Sequence, residues 1–190
     1  MTAFDGLWYL TDEADRAAER ARHRLRDRYD DDDHLGRTYR KRVSRGRFRT
    51  LTERIRDGGA PYGAHTLVSR PSGELLLVRH EGVDMWVLPG GDLEGSETFR
   101  EAARRELREE AGIEARYDGL AMLVRVEVVH GDRETWGVMP VFGARASATA
   151  TPAATDPDGE ISAARWFPLE AVPEDTRDRE DVIAAARASR

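Results

Sequence analysis

The order of hydrophobic and polar residues predicts a helical amino-terminal part. Residues 11–29 are rich in alanine and contain neither glycine nor proline, so they favour a helix whose N-cap is Thr11 or Asp12. The four aspartates at 30–33 end this helix, because neighbouring aspartates repel one another and prefer turns. A second short helix ends at the glycines 58 and 59 and is indicated by apolar residues at helical spacing: Phe48, Leu51 and Ile55.

After Pro61 the pattern changes to short runs of β-type residues. They cover 65–69, 74–79, 86–88, 120–129, 135–144 and 163–167. A turn signal between 65–69 and 74–79 predicts one hairpin, and a turn signal between 120–129 and 135–144 predicts another. Residues 147–159 are predicted to be a loop. A last helix is predicted at 179–188. Strands around an internal helix predict an α/β (α+β) fold in which a mixed β-sheet packs between helices.

The internal helix, predicted at residues 96–111, carries an unusual charge pattern. Ser96 is a suitable N-cap, and Gly112 follows the last turn, as is typical of helix ends. At about 100° per residue, Glu106 and Glu110 project within the apolar arc, and Glu109 lies at its edge. The arc itself consists of Phe99, Ala102, Ala103, Leu107 and Ala111.

Glutamates placed in this way repel one another, and partial burial strengthens the repulsion. The arginines of the helix are expected to point largely elsewhere. Three kinds of compensation therefore stay open: protonation, a basic group from another segment, or a divalent cation. Mg²⁺ or Mn²⁺ would suit the site, because hard cations take oxygen ligands. Gly90 and Gly91 precede the helix, and their exposed backbone could approach a phosphate or supply a carbonyl to a metal.

Composition narrows the class of protein. The net charge of −6 argues against a general affinity for nucleic acid, which depends on a basic surface. The 190 residues include no cysteine, so disulfides, thiolate metal sites and cysteine nucleophiles are excluded. The first residues form no basic leader, and no apolar run approaches the length of about 20 residues that spans a bilayer. We therefore expect a cytoplasmic protein without a membrane partner.

A basic stretch at 37–49 has arginine or lysine at seven of its thirteen positions, including the only lysine of the chain, Lys41. Such a stretch could bind phosphates or an acidic partner. The alternative is a solvated helix face that balances the neighbouring aspartates.

The residues around the glutamate helix complete a motif that resembles the signature of the Nudix hydrolase family. It comprises Gly91, Glu97, Arg105, Glu106, Leu107, Glu109, Glu110, Gly112 and Ile113, preceded by the run Trp-Val-Leu-Pro-Gly-Gly at 86–91. The resemblance covers about 61–175, so we predict a charged helical extension at 1–58 and a Nudix domain at 59–190. The fold it implies is a Nudix-type mixed sheet between helices.

The resemblance implies a pyrophosphohydrolase that uses Mg²⁺ or Mn²⁺ and acts on a nucleoside diphosphate linked to another moiety. Water would attack phosphorus. Glu109 and Glu110 would hold the metal with the carbonyl of Gly90, and Glu106 would be a ligand or the general base. Glu97 and Arg105 would form a structural ion pair. Members also use a carboxylate before the last core strand, and Glu160 stands in the corresponding place, with Asp156 and Asp158 as substitutes.

Other side chains have weaker assignments. Arg79 could contact a phosphate, or it could be an exposed arginine at the end of a strand. His80 and His130 could bind substrate but fit a surface role better. For Trp136, Phe142 and Tyr117, core packing is the better expectation than base stacking.

Substrate and partners follow from the same resemblance. The markers of the ADP-ribose and dinucleoside polyphosphate subgroups are absent. We therefore expect a small-molecule nucleotide as the substrate, either a nucleoside triphosphate or a modified nucleotide. ADP-ribose or another nucleotide conjugate is the alternative. Similar proteins are often homodimers, although no pattern marks an interface.

Two rival interpretations are a non-catalytic nucleotide-binding Nudix domain that regulates a partner through its extension, and a helix-rich structural protein with an accidental motif.

Overall fold

The computed structural model describes residues 5–29, 34–155 and 157–189. In these ranges the helices are α1 (Asp5–Arg28), α2 (Arg45–Gly58), α3 (Phe99–Ala111) and α4 (Arg179–Ala188), with a 3₁₀ turn at Leu169–Ala171. The strands are β1 (Leu35–Arg42), β2 (Ala64–Ser69), β3 (Leu75–His80), β4 (Met85–Val87), β5 (Gly90–Gly91), β6 (Arg116–His130), β7 (Arg133–Arg145) and β8 (Ile161–Phe167).

Within the described ranges, all eight strands belong to one mixed sheet with the order β1-β6-β7-β2-β3-β4. The short strand β5 pairs with β2, and β8 pairs with β3. β1 is parallel to β6 and β2 is parallel to β7, whereas β6 and β7 form a long antiparallel hairpin. Helices α1 and α2 contact β7, α3 contacts β2 and β5, and α4 contacts β6. The predicted mixed sheet between helices, with an N-terminal helix, is confirmed.

The strands predicted after Pro61 all occur, with shifted ends. The long hairpin extends beyond its predicted limits because its two strands pair from Arg116 with Arg145 to His130 with Arg133. The last helix begins and ends as predicted. Among the helices of the described ranges, none is long and apolar enough to cross a membrane.

Strand β1 was not predicted, because four of its eight residues are basic and hide its alternation. Its residues are alternately half-buried and exposed, and the half-buried set is Leu35, Arg37, Tyr39 and Lys41. The strand pairs along its whole length with β6, from Leu35 with Met122 to Arg42 with Val129. This pairing supplies backbone partners that a basic sequence does not reveal, so tertiary context decides the local structure.

Two predicted helix starts are wrong. α1 begins at Asp5 rather than at Thr11 or Asp12, and the Thr11 hydroxyl donates to the carbonyl of Trp8 inside the helix. α3 begins after Thr98 rather than after Ser96, because Thr98 and Glu101 form a capping box. The aspartate run at 30–33, predicted to end α1, lies outside the described residues.

The amino-terminal helices pack against the sheet. Asp15 of α1 accepts hydrogen bonds from the Thr135 hydroxyl at 2.8 Å and from the Trp136 backbone N–H at 3.3 Å, both on β7. A Cβ atom added to Gly59, which ends α2, would lie 2.4 Å from the Cβ of Ala21. The buried apolar residues of α1 and α2 belong to the same core cluster as those of the sheet. The domain boundary at residues 58 and 59 stays a prediction, but the extension shares the core.

We therefore predict that Ala21→Leu destabilises the protein. Ala21 is fully buried where α1 meets α2, so three added carbon atoms have no room, and such overpacking costs about 1–3 kcal/mol. Urea unfolding measures the change in the free energy of unfolding. Arg20→Leu, which adds the same side chain at the neighbouring exposed position, is the matched control. Equal stability of the two variants would contradict packing of α1 into the core.

Candidate active site

Helix α3 presents its glutamates to the interior side of the fold. Its buried face consists of Phe99, Ala102, Ala103, Leu107, Glu110 and Ala111. Gly112 ends the helix in the left-handed conformation, and its N–H donates to the carbonyl of Arg108. The apolar arc and the helix end are as the sequence predicts, and Glu110 lies within the buried face.

Arg105 links three glutamates. Its guanidinium donates to Glu97 at 2.9 Å, to Glu106 at 2.8 Å and to Glu109 at 3.1 Å, and also to the carbonyl of Asp92 at 2.8 Å. The Arg105 side chain is only 13% exposed, so these ion pairs are weakly screened. The hydrogen bonds from Arg105 lower the pKa of Glu97. The expectation that the arginines of this helix point away from its glutamates is therefore wrong for Arg105.

Glu110 and Glu106 approach the backbone of β5. Glu110 is buried and accepts a hydrogen bond of 2.9 Å from the N–H of Gly90. A Cβ at Gly90, where φ is 153°, would lie 2.4 Å from the carbonyl oxygen of Ala64, and a Cβ at Gly91 would lie 2.6 Å from a carboxylate oxygen of Glu106. Gly90 therefore requires glycine, whereas a Cβ at Gly91 would displace the carboxylate of Glu106.

The environment of Glu106 favours its neutral form. Burial raises the pKa of Glu106, while the neighbouring Arg105 opposes that shift. A carboxylate with a raised pKa is a stronger base than an exposed one. Glu106 is thus chemically suited to accept a proton or to bind a cation.

A cavity of about 720 Å³ opens beside these groups. We call three of the acids that line it, Glu106, Glu110 and Glu160, the carboxylate wall. Asp158 and both glycines of β5 also line the cavity, and Glu160 lies 3.5 Å from the Nε2 atom of His80. A second cavity, of about 510 Å³, is not lined by any of these three glutamates, so the carboxylates select the first.

Some predicted site residues do not reach the cavity. Glu109 is bonded to Arg105 and does not line the cavity, and neither does Arg79, whose guanidinium is bonded to Asp84 and Asp175. Their proposed roles stay predictions. Asp156 lies outside the described residues.

The predicted aromatic residues and His130 have structural contacts. Tyr117 hydrogen-bonds to Thr66 at 2.8 Å, and Phe142 is fully buried. The face of Trp136 carries the guanidinium of Arg125 at 3.8 Å. His130 Nδ1 lies 3.0 Å from the carbonyl of Val43. None of these rings lines the 720 Å³ cavity.

The donor set suits a hard divalent cation. Carboxylate oxygens beside exposed glycine backbone are the ligands that Mg²⁺ and Mn²⁺ take, and the missing Cβ of Gly91 leaves room beside Glu106. In the described part of the chain, however, no three His, Cys, Asp or Glu side chains are gathered closely enough to hold a metal. Arg105 holds Glu106 and Glu109, and the Gly90 N–H holds Glu110. The residues fit a metal by chemistry, and their present hydrogen bonds compete with it.

Sequence reasoning missed several residues that line the cavity. Tyr62, His65, Arg177 and Asp178 line the cavity, and the sequence had assigned no chemistry to them. Lys41 and Arg47 also line it and were noted only as part of the basic stretch. Lys41 was a usable signal, because it is the only lysine among the 30 lysine and arginine residues of the sequence. The remaining residues come from separate elements whose convergence only the fold reveals.

Comparison with known proteins places the motif in context. The model of the NUDIX domain family matches residues 60–186, which is more than half of the chain. The human 8-oxo-dGDP phosphatase NUDT18 is 33% identical over 103 residues, covering 53% of this chain and 30% of that protein. The RNA pyrophosphohydrolase of Halorhodospira halophila is 45% identical over 47 residues, covering 25% and 26%. The chain thus spans about a third or less of these relatives.

Solved structures share the fold at low sequence identity. An ADP-ribose pyrophosphatase from Streptococcus suis matches with a TM-score of 0.51 and 17% identity over 67% of this chain and 90% of that chain. The Escherichia coli dihydroneopterin triphosphate pyrophosphohydrolase matches with a TM-score of 0.50 and 19% identity over 66% and 93%. These structures show the same fold, and the family match over residues 60–186 shows that this chain belongs to the Nudix family.

Proposed function

We propose that the protein is a divalent-metal-dependent hydrolase that cleaves the pyrophosphate linkage of a nucleoside diphosphate joined to another moiety. A nucleoside triphosphate or a modified nucleotide is the proposed substrate. The observation that supports the proposal best is the carboxylate wall, on which Glu106 and Glu110 of the family motif open onto one 720 Å³ cavity with Glu160. Relatives named for nucleotide phosphatase and pyrophosphohydrolase activity support the same class.

The chemistry requires charge compensation. A pyrophosphate and three carboxylates repel each other, and a bound Mg²⁺ or Mn²⁺ would bridge them and polarise water. Glu106 and Glu110, with Glu109 and the Gly90 carbonyl, are the proposed ligands, and Glu160 is a further one. The water oxygen forms a bond to phosphorus, the bridging P–O bond breaks, and its electron pair leaves with the departing phosphate. Glu106, whose pKa is raised by burial, is suited to take the proton released by the water.

The motif argues against the binding-only alternative. A regulatory domain that only binds a nucleotide has no need for the complete set of Glu106, Glu109 and Glu110, and all three are present. ADP-ribose or another conjugate stays the alternative substrate. A cytoplasmic location and a homodimer stay predictions of the sequence.

We expect Glu110→Gln to reduce hydrolysis in the presence of Mg²⁺ by at least about 100-fold, because metal-assisted stabilisation of charge is worth several kcal/mol. Glu106→Gln should have a comparable effect. Phosphate release from a nucleoside triphosphate measures turnover, and circular dichroism checks folding. Glu114→Gln, at an exposed position just after α3, is the matched control and should retain activity. Wild-type turnover in folded Glu110→Gln would contradict the assignment.

A substrate screen tests the proposed class. Nucleoside triphosphates, oxidised nucleotides, ADP-ribose, NADH, dinucleoside polyphosphates and coenzyme A are incubated with Mg²⁺ or Mn²⁺, and released phosphate or pyrophosphate is measured. We expect a triphosphate or a modified nucleotide to give the highest kcat/KM and EDTA to abolish turnover, since the reaction needs the metal. Turnover that persists in EDTA, or no turnover of any compound, would refute the proposal.

A further inference from the structure

Positive side chains face the same cavity as the carboxylate wall. Lys41 lies near the end of β1, Arg47 lies in the first turn of α2, and Arg177 lies just before α4. We call these three residues the cationic wall. They come from three separate elements, two of which belong to the amino-terminal extension. The cavity is therefore lined by acids and by bases, and the extension supplies part of the basic lining.

The cationic wall is not neutralised by ion pairs. Within residues 5–29, 34–155 and 157–189, no carboxylate lies within the 4.0 Å ion-pair distance of Lys41, Arg47 or Arg177. The carboxylate of Asp178, which also lines the cavity, attracts the charges of Lys41 and Arg177 without an ion pair to either among the described residues. The ring of Tyr62 lies 4.9 Å from the Lys41 ammonium and 6.0 Å from the Arg47 guanidinium. An aromatic face attracts cations but does not cancel their charge.

Other arginines of the same basic stretch differ in this respect. Arg37 is paired with Asp181, Arg40 with two glutamates, and Arg49 with Glu53. Their charges are thus compensated within the protein. Among the described residues, Arg42 and Arg45 are not ion-paired either, but they are exposed and do not line the cavity. Lys41 and Arg47 are therefore distinguished by their position at the cavity.

Two features make positive charge costly here, although the side chains of Arg47 and Arg177 are exposed to solvent. Lys41 is half-buried, and burial lowers the pKa of its ammonium group. The first turn of α2 contains no acid, although Arg45 and Arg47 stand at the positive end of the helix dipole. Positive charge at a helix N-terminus is unfavourable. An anion bound in the cavity would offset both costs.

A buried polar atom lies beside the cationic wall. Nδ1 of His65 is buried and, among the described residues, has no hydrogen-bond partner. Burial, aided by the charges of Arg177 and Lys41, lowers the pKa of His65 to about 4, so its ring is neutral near pH 7. His65 also pairs with Gly90 across the sheet, next to the carboxylate wall. His65 lines the cavity, which thus offers a polar atom that no other described residue uses.

We propose that the cationic wall is a phosphate subsite, which binds a phosphate of the substrate other than the one held at the carboxylate wall. Lysine and arginine bind phosphate oxygens directly, whereas carboxylates need a metal between them and the phosphate. A polyphosphate chain can therefore contact both walls at once. The inference rests on the proposed function for its substrate, and it gives the amino-terminal extension a role in substrate recognition.

The experiment measures binding of inorganic pyrophosphate in EDTA, where metal bridging is absent. Isothermal titration calorimetry compares the wild-type protein with Lys41→Met/Arg47→Gln. Charge-assisted hydrogen bonds are strong enough that the double variant should bind at least about tenfold more weakly. The matched control is Arg42→Gln/Arg45→Gln, which removes the same charge from exposed positions on the same two elements. It should change the affinity by no more than about twofold.

Three results would overturn the subsite: no binding by the wild-type protein, equal weakening in both double variants, or no weakening in either. Thermal unfolding confirms that each variant is folded. If Lys41→Met/Arg47→Gln fails to fold, the single variants Lys41→Met and Arg47→Gln are measured in the same titration, with Arg42→Gln and Arg45→Gln as their controls.

A second measurement separates this proposal from the proposed function. Glu110→Gln should lose turnover of a nucleoside triphosphate with Mg²⁺ yet keep the metal-free binding of pyrophosphate. Lys41→Met/Arg47→Gln should raise KM more than it lowers kcat, because it removes a binding contact. Loss of turnover in Glu110→Gln with unchanged metal-free binding in Lys41→Met/Arg47→Gln would refute the subsite alone. Absence of wild-type turnover would refute the hydrolase, whereas the metal-free titration would still test the subsite.

Discussion

The mutual repulsion of glutamates on one face of α3 is the constraint on which the site depends. Packing of the apolar arc fixes the helix, so Glu106 and Glu110 cannot turn to solvent without unpacking it. Arg105 compensates part of this charge, and the N–H of Gly90 compensates another part. These two contacts hold the carboxylates together when no cation is bound. The same carboxylate oxygens are the proposed ligands of a divalent cation. The hydrogen bonds within the protein and the proposed metal thus compete for the same carboxylates.

The extension and the motif meet in one cavity. β1 joins the edge of the sheet beside β6, and α2 follows it at once, which brings Lys41 and Arg47 to the side of the site. α1 covers α2 and β7 through its alanine face. The helical part is therefore a portion of the core, and it supplies two residues of the proposed phosphate subsite. A cavity lined by both acids and bases suits a ligand that carries phosphates and a metal together.

Much of the fold could be predicted from local patterns, because the strands after Pro61 and helix α4 have clear periodicity and turn signals. Strand β1 could not, since its pairing with β6 is non-local and half of its residues are basic. The start of α3 was misplaced because Ser96 and Thr98 are both good caps, and only Glu101 decides between them. The motif identified Glu106 and Glu110 and the pairing of Arg105 with Glu97. The further bonds of Arg105 to Glu106 and Glu109, and the position of Arg177 at the cavity, depend on side-chain placement in three dimensions.

The central claim is that the glutamates of α3 bind a divalent ion. Titration with Mn²⁺, followed by the electron paramagnetic resonance signal of the free ion, measures this directly, because bound Mn²⁺ loses that signal. The account predicts saturable binding by the wild-type protein, tightened by a nucleotide and strongly weakened in Glu110→Gln. A free-ion signal that rises identically with wild-type protein, with the variant and with buffer alone, in the presence and absence of nucleotide, would contradict it.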